Sequence, residues 1–167
     1  ALGDELLPLL RDEEDRKRLK SMALDGSFVI EDYERSLATV EAGIPGRDEA
    51  WHEMALNKIK AHLALQEGRT DEAVTRFRRF MQDVEATWEE AEEDPSTGIK
   101  HTREMSLGFN ARRIGDILSE AGQTDAAREA YREARSYCAK ALELLDETSR
   151  EHAMVRERLA SMPPEAE

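Results

Sequence analysis

The sequence EGRTDEA occupies residues 67–73, and a close copy, AGQTDAA, occupies residues 121–127. In each copy the glycine follows a helix-forming run, where a left-handed backbone is needed and a Cβ atom would clash. We expect the threonine to be the N-cap of the next helix and the aspartate to lie in its first turn, where the helix dipole favours a negative charge. The sequence therefore predicts a helix–turn–helix unit that occurs twice.

Apolar residues recur at spacings of three and four along most of the chain, which predicts amphipathic helices. Only Ser27–Ile30 has a strand-like composition, and residues 92–98 are expected to form a loop. We predict seven helices, at approximately residues 6–23, 30–40, 51–63, 73–88, 99–122, 126–145 and 149–161.

The chain is acidic, with 24 Lys and Arg against 37 Asp and Glu and a net charge of −13. This charge excludes direct binding to nucleic acid or to an anionic membrane surface. The 40% of apolar residues is too high for a disordered acidic chain. No run is long and apolar enough for membrane insertion, which favours a cytoplasmic location. The single cysteine, Cys138, excludes an intrachain disulfide and is expected to be a small buried residue.

The second copy resembles a tetratricopeptide repeat, a 34-residue helix–turn–helix unit with small residues where its helices cross. The first copy matches the family at fewer positions, and Lys60 and Phe80 depart from its pattern. Gly68 and Gly122 are 54 residues apart rather than 34, so we expect longer helices and an inserted loop. The matching residues are Ile114, Gly115, Leu118, Gly122, Ala127, Tyr131 and Ala134 in the second copy and Ala61, Gly68, Ala73 and Phe77 in the first.

The resemblance implies an all-α, right-handed stack of antiparallel helix hairpins, with about three pairs and a C-terminal capping helix. We expect a single domain over residues 1–167. Its parts are a degenerate hairpin at 1–46, a first repeat at 47–94, a second repeat at 99–146 and the capping helix at 147–162.

In this family, ligand peptides bind along a concave groove, which implies a non-catalytic scaffold that binds a protein or peptide. Lys58 and Arg112 would give the groove a local positive charge, suited to an acidic side chain or a C-terminal carboxylate, with Phe109 as an apolar anchor. An alternative is that Arg112 and Arg113 pair with neighbouring acids such as Asp116 or Glu120. The family's two-carboxylate clamp has Asn where this chain has His62 and Arg113, so the ligand of that clamp is not expected. The groove positions are Lys58, His62, Leu65, Phe109, Arg112, Arg113, Asp116 and Ser119.

Enzyme activity is not expected, because no nucleophile lies beside a base and no glycine-rich phosphate loop is present. No catalytic residue, cofactor or metal is therefore assigned. One alternative function is a helical bundle with a metal or small-molecule site at Glu49 and His52, whose spacing occurs in di-iron bundles. A second is self-association, for example as a homodimer, through Trp51, Phe80 and Trp88.

The segment Glu85–Asp94 carries six acidic residues and no Lys or Arg. We expect these acids to lie mostly on one solvated helix face, because a calcium loop would need alternating ligands and a glycine turn. The alternative is a docking surface for a basic partner.

Overall fold

A computed structural model describes residues 32–44, 47–87, 92–94 and 99–164 of the chain. Helices dominate this part of the chain, so the all-α class is confirmed. The predicted first helix and the strand-like Ser27–Ile30 lie outside the described residues. The described elements are α1 (Tyr33–Glu41), α2 (Glu49–Gln66), α3 (Thr70–Thr87), β1 (Glu92–Asp94), β2 (Ile99–His101), α4 (Arg103–Glu120), α5 (Thr124–Leu144) and α6 (Arg150–Ala160).

The chain divides into two compact units, residues 1–76 and 77–167, with the boundary inside α3. In the first unit, α1 and α2 pack against each other around a small apolar core. Its fully buried members are Tyr33, Val40, Ile44 and Ile59, and its partly buried members are Leu37, Trp51, Ala55, Leu56 and Leu63.

In the second unit, α4 and α5 form a tightly packed antiparallel hairpin. Gly108 lies against Cys138 and Gly115 lies against Tyr131, so the contact runs in opposite directions along the two helices. A Cβ atom on Gly108 would lie 2.8 Å from the Cys138 sulfur. The absence of a side chain at these two glycines therefore allows α4 and α5 to pack closely.

The turns after α2 and α4 share one hydrogen-bond pattern. Gly68 and Gly122 have φ values of +73° and +75°, as the repeated sequence predicts. Each glycine N–H donates to the carbonyl three residues earlier, at 3.0 Å in both turns. The next N–H donates to the carbonyl five residues earlier, at 2.8 Å in both turns. Each helix therefore ends in a Schellman motif that satisfies two of its terminal carbonyls.

The turn after α1 closes differently, although Gly43 is also left-handed, with a φ of +78°. Its N–H donates to the Val40 carbonyl at 2.9 Å, as in the other two turns. The following N–H, of Ile44, donates instead to Nε2 of His52 in the first turn of α2, at 3.0 Å. The His52 side chain thus accepts the hydrogen bond that a backbone carbonyl accepts in the turns at Gly68 and Gly122.

The prediction that the two repeated threonines are N-caps is wrong by one residue. Thr70 and Thr124 are the first residues of α3 and α5. The first carbonyls to accept helical hydrogen bonds belong to Arg69 and Gln123, and the Gln123 side chain makes no capping bond. The predicted acidic first turns are confirmed, by Asp71 and Asp125.

The predicted loop between the two repeats contains a short antiparallel strand pair. Glu92 is opposite His101 and Asp94 is opposite Ile99 in the register of β1 and β2. The helix predicted to begin near Ile99 therefore begins at Arg103, where the Thr102 hydroxyl caps it by accepting from the Met105 N–H at 3.1 Å. The two helices predicted to be lengthened, α3 and α4, have 18 residues each, the same as α2.

The final helix, α6, packs against α5 and contacts β2. It buries Val155 completely and ends near Met162, which is also buried. The Arg135 side chain donates to the Pro163 carbonyl and attaches the segment after α6 to α5. No described helix is long and apolar enough to cross a membrane.

Candidate functional surface on helix α4

Three of the predicted groove residues share one face of α4. Phe109, Arg112 and Asp116 are three and four positions apart, which places them along one side of a helix. All three side chains are half-buried. Arg113, by contrast, is exposed, and no described carboxylate forms an ion pair with it. The face defined by Phe109, Arg112 and Asp116 is called the α4 face below.

Arg112 is held against Asp116, but loosely. Its Nε lies 3.8 Å from Asp116 Oδ2, and its side chain is 18% exposed. The Nε atom itself is buried and makes no hydrogen bond to any described residue. Asp116 already accepts a 2.8 Å hydrogen bond from the Tyr131 hydroxyl through its other oxygen. Arg112 therefore forms an ion pair with a neighbouring acid, as the alternative interpretation expects, but the two atoms are farther apart than in a hydrogen bond.

The capping helix adds a second cation to the α4 face. The Arg158 guanidinium carbon lies 5.3 Å from the centre of the Phe109 ring, within the range of a cation–π contact. Both Arg112 and Arg158 also act on the buried thiol of Cys138. Burial raises the pKa of Cys138 to about 11, and the charges of the two arginines oppose that rise. Arg158 therefore lies over a ring that precedes Arg112 by one turn of α4.

The other predicted groove residues lie on α2, in the first unit. Lys58, His62 and Leu65 are four and three positions apart and thus share one helix face. The His62 ring stacks on Tyr33, with 4.4 Å between centroids and 16° between planes. Lys58 and Leu65 are half-buried. Tyr33 also belongs to the core of this unit, so the structure gives His62 a packing role.

The alternative metal site at Glu49 and His52 is not assembled. His52 Nδ1 lies 2.7 Å from the Asp48 carbonyl, and Nε2 accepts from the Ile44 N–H. Both ring nitrogens thus bind the backbone, and a metal would have to displace one of these bonds. Glu49 is exposed, and no group of three or more candidate ligands occurs among the described residues.

Two residues of the proposed self-association patch, Trp51 and Phe80, lie in the described part of the chain. Phe80 is only 5% exposed, so the expectation that it contributes to a surface patch is wrong. Trp51 is packed on the core of the first unit and lies under the Arg47 guanidinium, 5.0 Å from its ring centre. Trp88 lies outside the described residues.

The acidic segment is not one helix face. Glu85 is exposed on α3 and accepts a hydrogen bond from the Tyr137 hydroxyl of α5. Glu92–Asp94 forms β1, so the expectation that most of these acids lie on a helix is wrong for this part. Glu89 and Glu90 lie outside the described residues.

Arg158 is not among the groove residues predicted from the sequence, although it contacts Phe109. Its side chain is exposed, and it follows the buried Val155 by three residues, on the same side of α6. Nothing in the local sequence indicates that this side meets Phe109, because that contact joins residues 49 positions apart.

No known protein family, curated protein or solved structure matches this chain. The residues of the α4 face and the elements that hold them are therefore the basis for a functional assignment.

Proposed function

We propose that this chain is a non-catalytic helical-repeat domain, similar to a tetratricopeptide stack, that binds a segment of another protein. The observation that carries the proposal is the pair of turns at Gly68 and Gly122. Their sequences repeat, and the matching backbone hydrogen bonds join equivalent residues at donor–acceptor distances that agree within 0.1 Å. Repeated hairpins of this kind form extended binding surfaces, because each unit presents the same helix face beside its neighbour's.

The α4 face supplies chemistry suited to a peptide. It combines a half-buried aromatic ring, Phe109, with the cations Arg112 and Arg158 in a chain of net charge −13. An aromatic anchor beside hydrogen-bonding cations is the common composition of peptide-binding sites. We therefore expect the bound segment to contain an apolar side chain close to an acidic group.

Three described residues of types that often act in catalysis, Cys138, His52 and His62, have structural roles instead, which supports a binding function. Burial raises the pKa of the Cys138 thiol, so it remains protonated at neutral pH and is a poor nucleophile. The His52 ring bridges two backbone groups, and the His62 ring stacks on Tyr33.

Display of random twelve-residue peptides on phage, selected on the immobilised protein, tests this function. We expect enrichment of peptides with an acidic and an apolar residue, and we expect their binding to weaken as salt rises. Arg112→Gln should lower the affinity without placing a second acid beside Asp116. Arg128→Gln is the matched control, because Arg128 is an exposed cation on α5. If no peptide is enriched, or if Arg112→Gln and Arg128→Gln behave alike, the proposed function is wrong.

A further inference from the structure

We propose that Arg112 and Arg158 jointly bind one carboxylate of the partner segment, on the surface formed by the Phe109 ring. This inference rests on the proposed function and assigns the acidic group of the bound segment to two named side chains, of which the repeat pattern indicates only Arg112. The site would join the second hairpin to the capping helix, since Arg112 belongs to α4 and Arg158 to α6.

The first step is the position of Arg158. Its guanidinium lies over an aromatic ring, and no described carboxylate is within ion-pair distance of it. A ring attracts the cation through its quadrupole but carries no net charge. The contact with Phe109 therefore orients Arg158 and leaves its positive charge to be balanced by another group.

The second step is the incomplete pairing of Arg112. At 3.8 Å, the approach of Nε to Asp116 is a charge contact and not a hydrogen bond. Asp116 also accepts the Tyr131 hydroxyl, which holds its carboxylate towards α5. Because 18% of the Arg112 side chain is exposed, an incoming carboxylate can reach its accessible part, although not the buried Nε atom.

The third step is the local charge. Arg158 lies over the Phe109 ring and Arg112 follows Phe109 by one turn of α4, and Asp116 is the one described acid within ion-pair distance of either arginine. Two guanidinium groups and one carboxylate leave a net positive charge. A carboxylate complements it well, because its two oxygens match the parallel N–H donors of a guanidinium.

The test is a titration with acetate, followed by nuclear magnetic resonance of the arginine Nε–H groups of the ¹⁵N-labelled protein at constant ionic strength. Acetamide, which has nearly the same shape but no charge, is the matched probe. We expect acetate to shift the Arg112 and Arg158 signals in a saturable way and acetamide to leave them unchanged. Equal shifts with acetamide, or no saturable shift with acetate, would overturn the inference.

Variants assign the effect to the two residues. Arg158→Gln should weaken acetate binding about tenfold or more, as expected for loss of a charged hydrogen-bond donor. Arg156→Gln removes an equal charge from an exposed position on the same helix and should have no effect. A similar loss in both variants would show a general charge effect and would contradict a specific site.

Peptides separate this inference from the proposed function. Each selected peptide is compared with a version in which its acids are replaced by the matching amides. If the amide versions bind equally well, the carboxylate site is wrong while peptide binding stands. If no peptide is selected but acetate shifts both arginines, the proposed function is wrong while the carboxylate site stands.

Discussion

Gly115 and Tyr131 approach so closely that no side chain fits between them. A Cβ atom on Gly115 would lie 2.7 Å from both Cδ1 and Cε1 of the Tyr131 ring. The ring is not able to rotate away at low cost, because its hydroxyl donates to Asp116 at 2.8 Å. The spacing of α4 and α5 is thus set by a glycine on one helix and by a hydrogen-bonded aromatic on the other.

We predict that Gly115→Ala destabilises the second unit. Overpacking costs about 1–3 kcal/mol, and the better helix propensity of alanine returns at most about 1 kcal/mol. Unfolding in urea should therefore show a lower midpoint. Arg113→Ala is the matched control, because Arg113 is exposed on the same helix and forms no ion pair with a described carboxylate. An unchanged midpoint for Gly115→Ala would show that α4 and α5 can move apart to accept the added methyl group without loss of stability.

We predict that the protein loses stability in alkali between pH 10 and 12. Burial, followed by the hydrogen bond to Asp116, raises the pKa of Tyr131 from 10.0 to about 12. Burial and the hydrogen bond to Glu85 do the same for Tyr137. Because the fold favours the protonated phenols, their stabilisation is complete below pH 10 and is lost as pH rises towards 12.

Phenolate absorbance and urea unfolding measure this effect at the same pH values. The folded protein should form phenolate for these two tyrosines only near pH 12, and Tyr137→Phe should make the free energy of unfolding less dependent on pH. Titration of every tyrosine near pH 10 in the folded protein would contradict the prediction.

We predict that Cys138 resists alkylation in the folded protein. Its side chain is fully buried, and burial raises the pKa of its thiol to about 11, so little thiolate exists at pH 8. Iodoacetamide should modify it quickly in urea and very slowly in buffer, as measured by mass spectrometry. A peptide containing Cys138 gives the rate for an accessible thiol. Equal rates for this peptide and the folded protein would show that the thiol is exposed by local opening.

We predict that His52→Ala destabilises the first unit. The change leaves the buried Ile44 N–H without its acceptor, which costs about 1–3 kcal/mol. Hydrogen exchange should become faster at the Ile44 amide and stay unchanged at the amide of Gln123, whose acceptor is the Leu118 carbonyl. Glu53→Ala, at an exposed position on the same helix, controls for the loss of a side chain. Unchanged exchange at Ile44 would show that water replaces the imidazole.

The parts of the fold that depend on local backbone chemistry could be predicted from the sequence. The left-handed Gly68 and Gly122, the acidic first turns and the small residues between α4 and α5 all follow from steric limits and nearby charges. The threonine caps were misplaced because either threonine can occupy the first helical position when the preceding carbonyl accepts the first hydrogen bond.

The parts that depend on distant residues could not be predicted. Glu92–Asp94 has a composition unfavourable for a strand, and its pairing with Ile99–His101 arises from the register of two neighbouring segments. Arg158 reaches Phe109 only because α6 packs on the hairpin. Likewise, Phe80 is an aromatic residue whose burial is decided by packing rather than by its own helix.

The end of α1 depends on a second helix, unlike the ends of α2 and α4. At Gly68 and Gly122 the helix ends are closed by carbonyls of the helix that has just formed, so each turn is complete as soon as that helix exists. At Gly43 the closing acceptor comes from His52, which reaches Ile44 only after the first turn of α2 is in place. We therefore expect α2 to begin folding before the end of α1 becomes fixed.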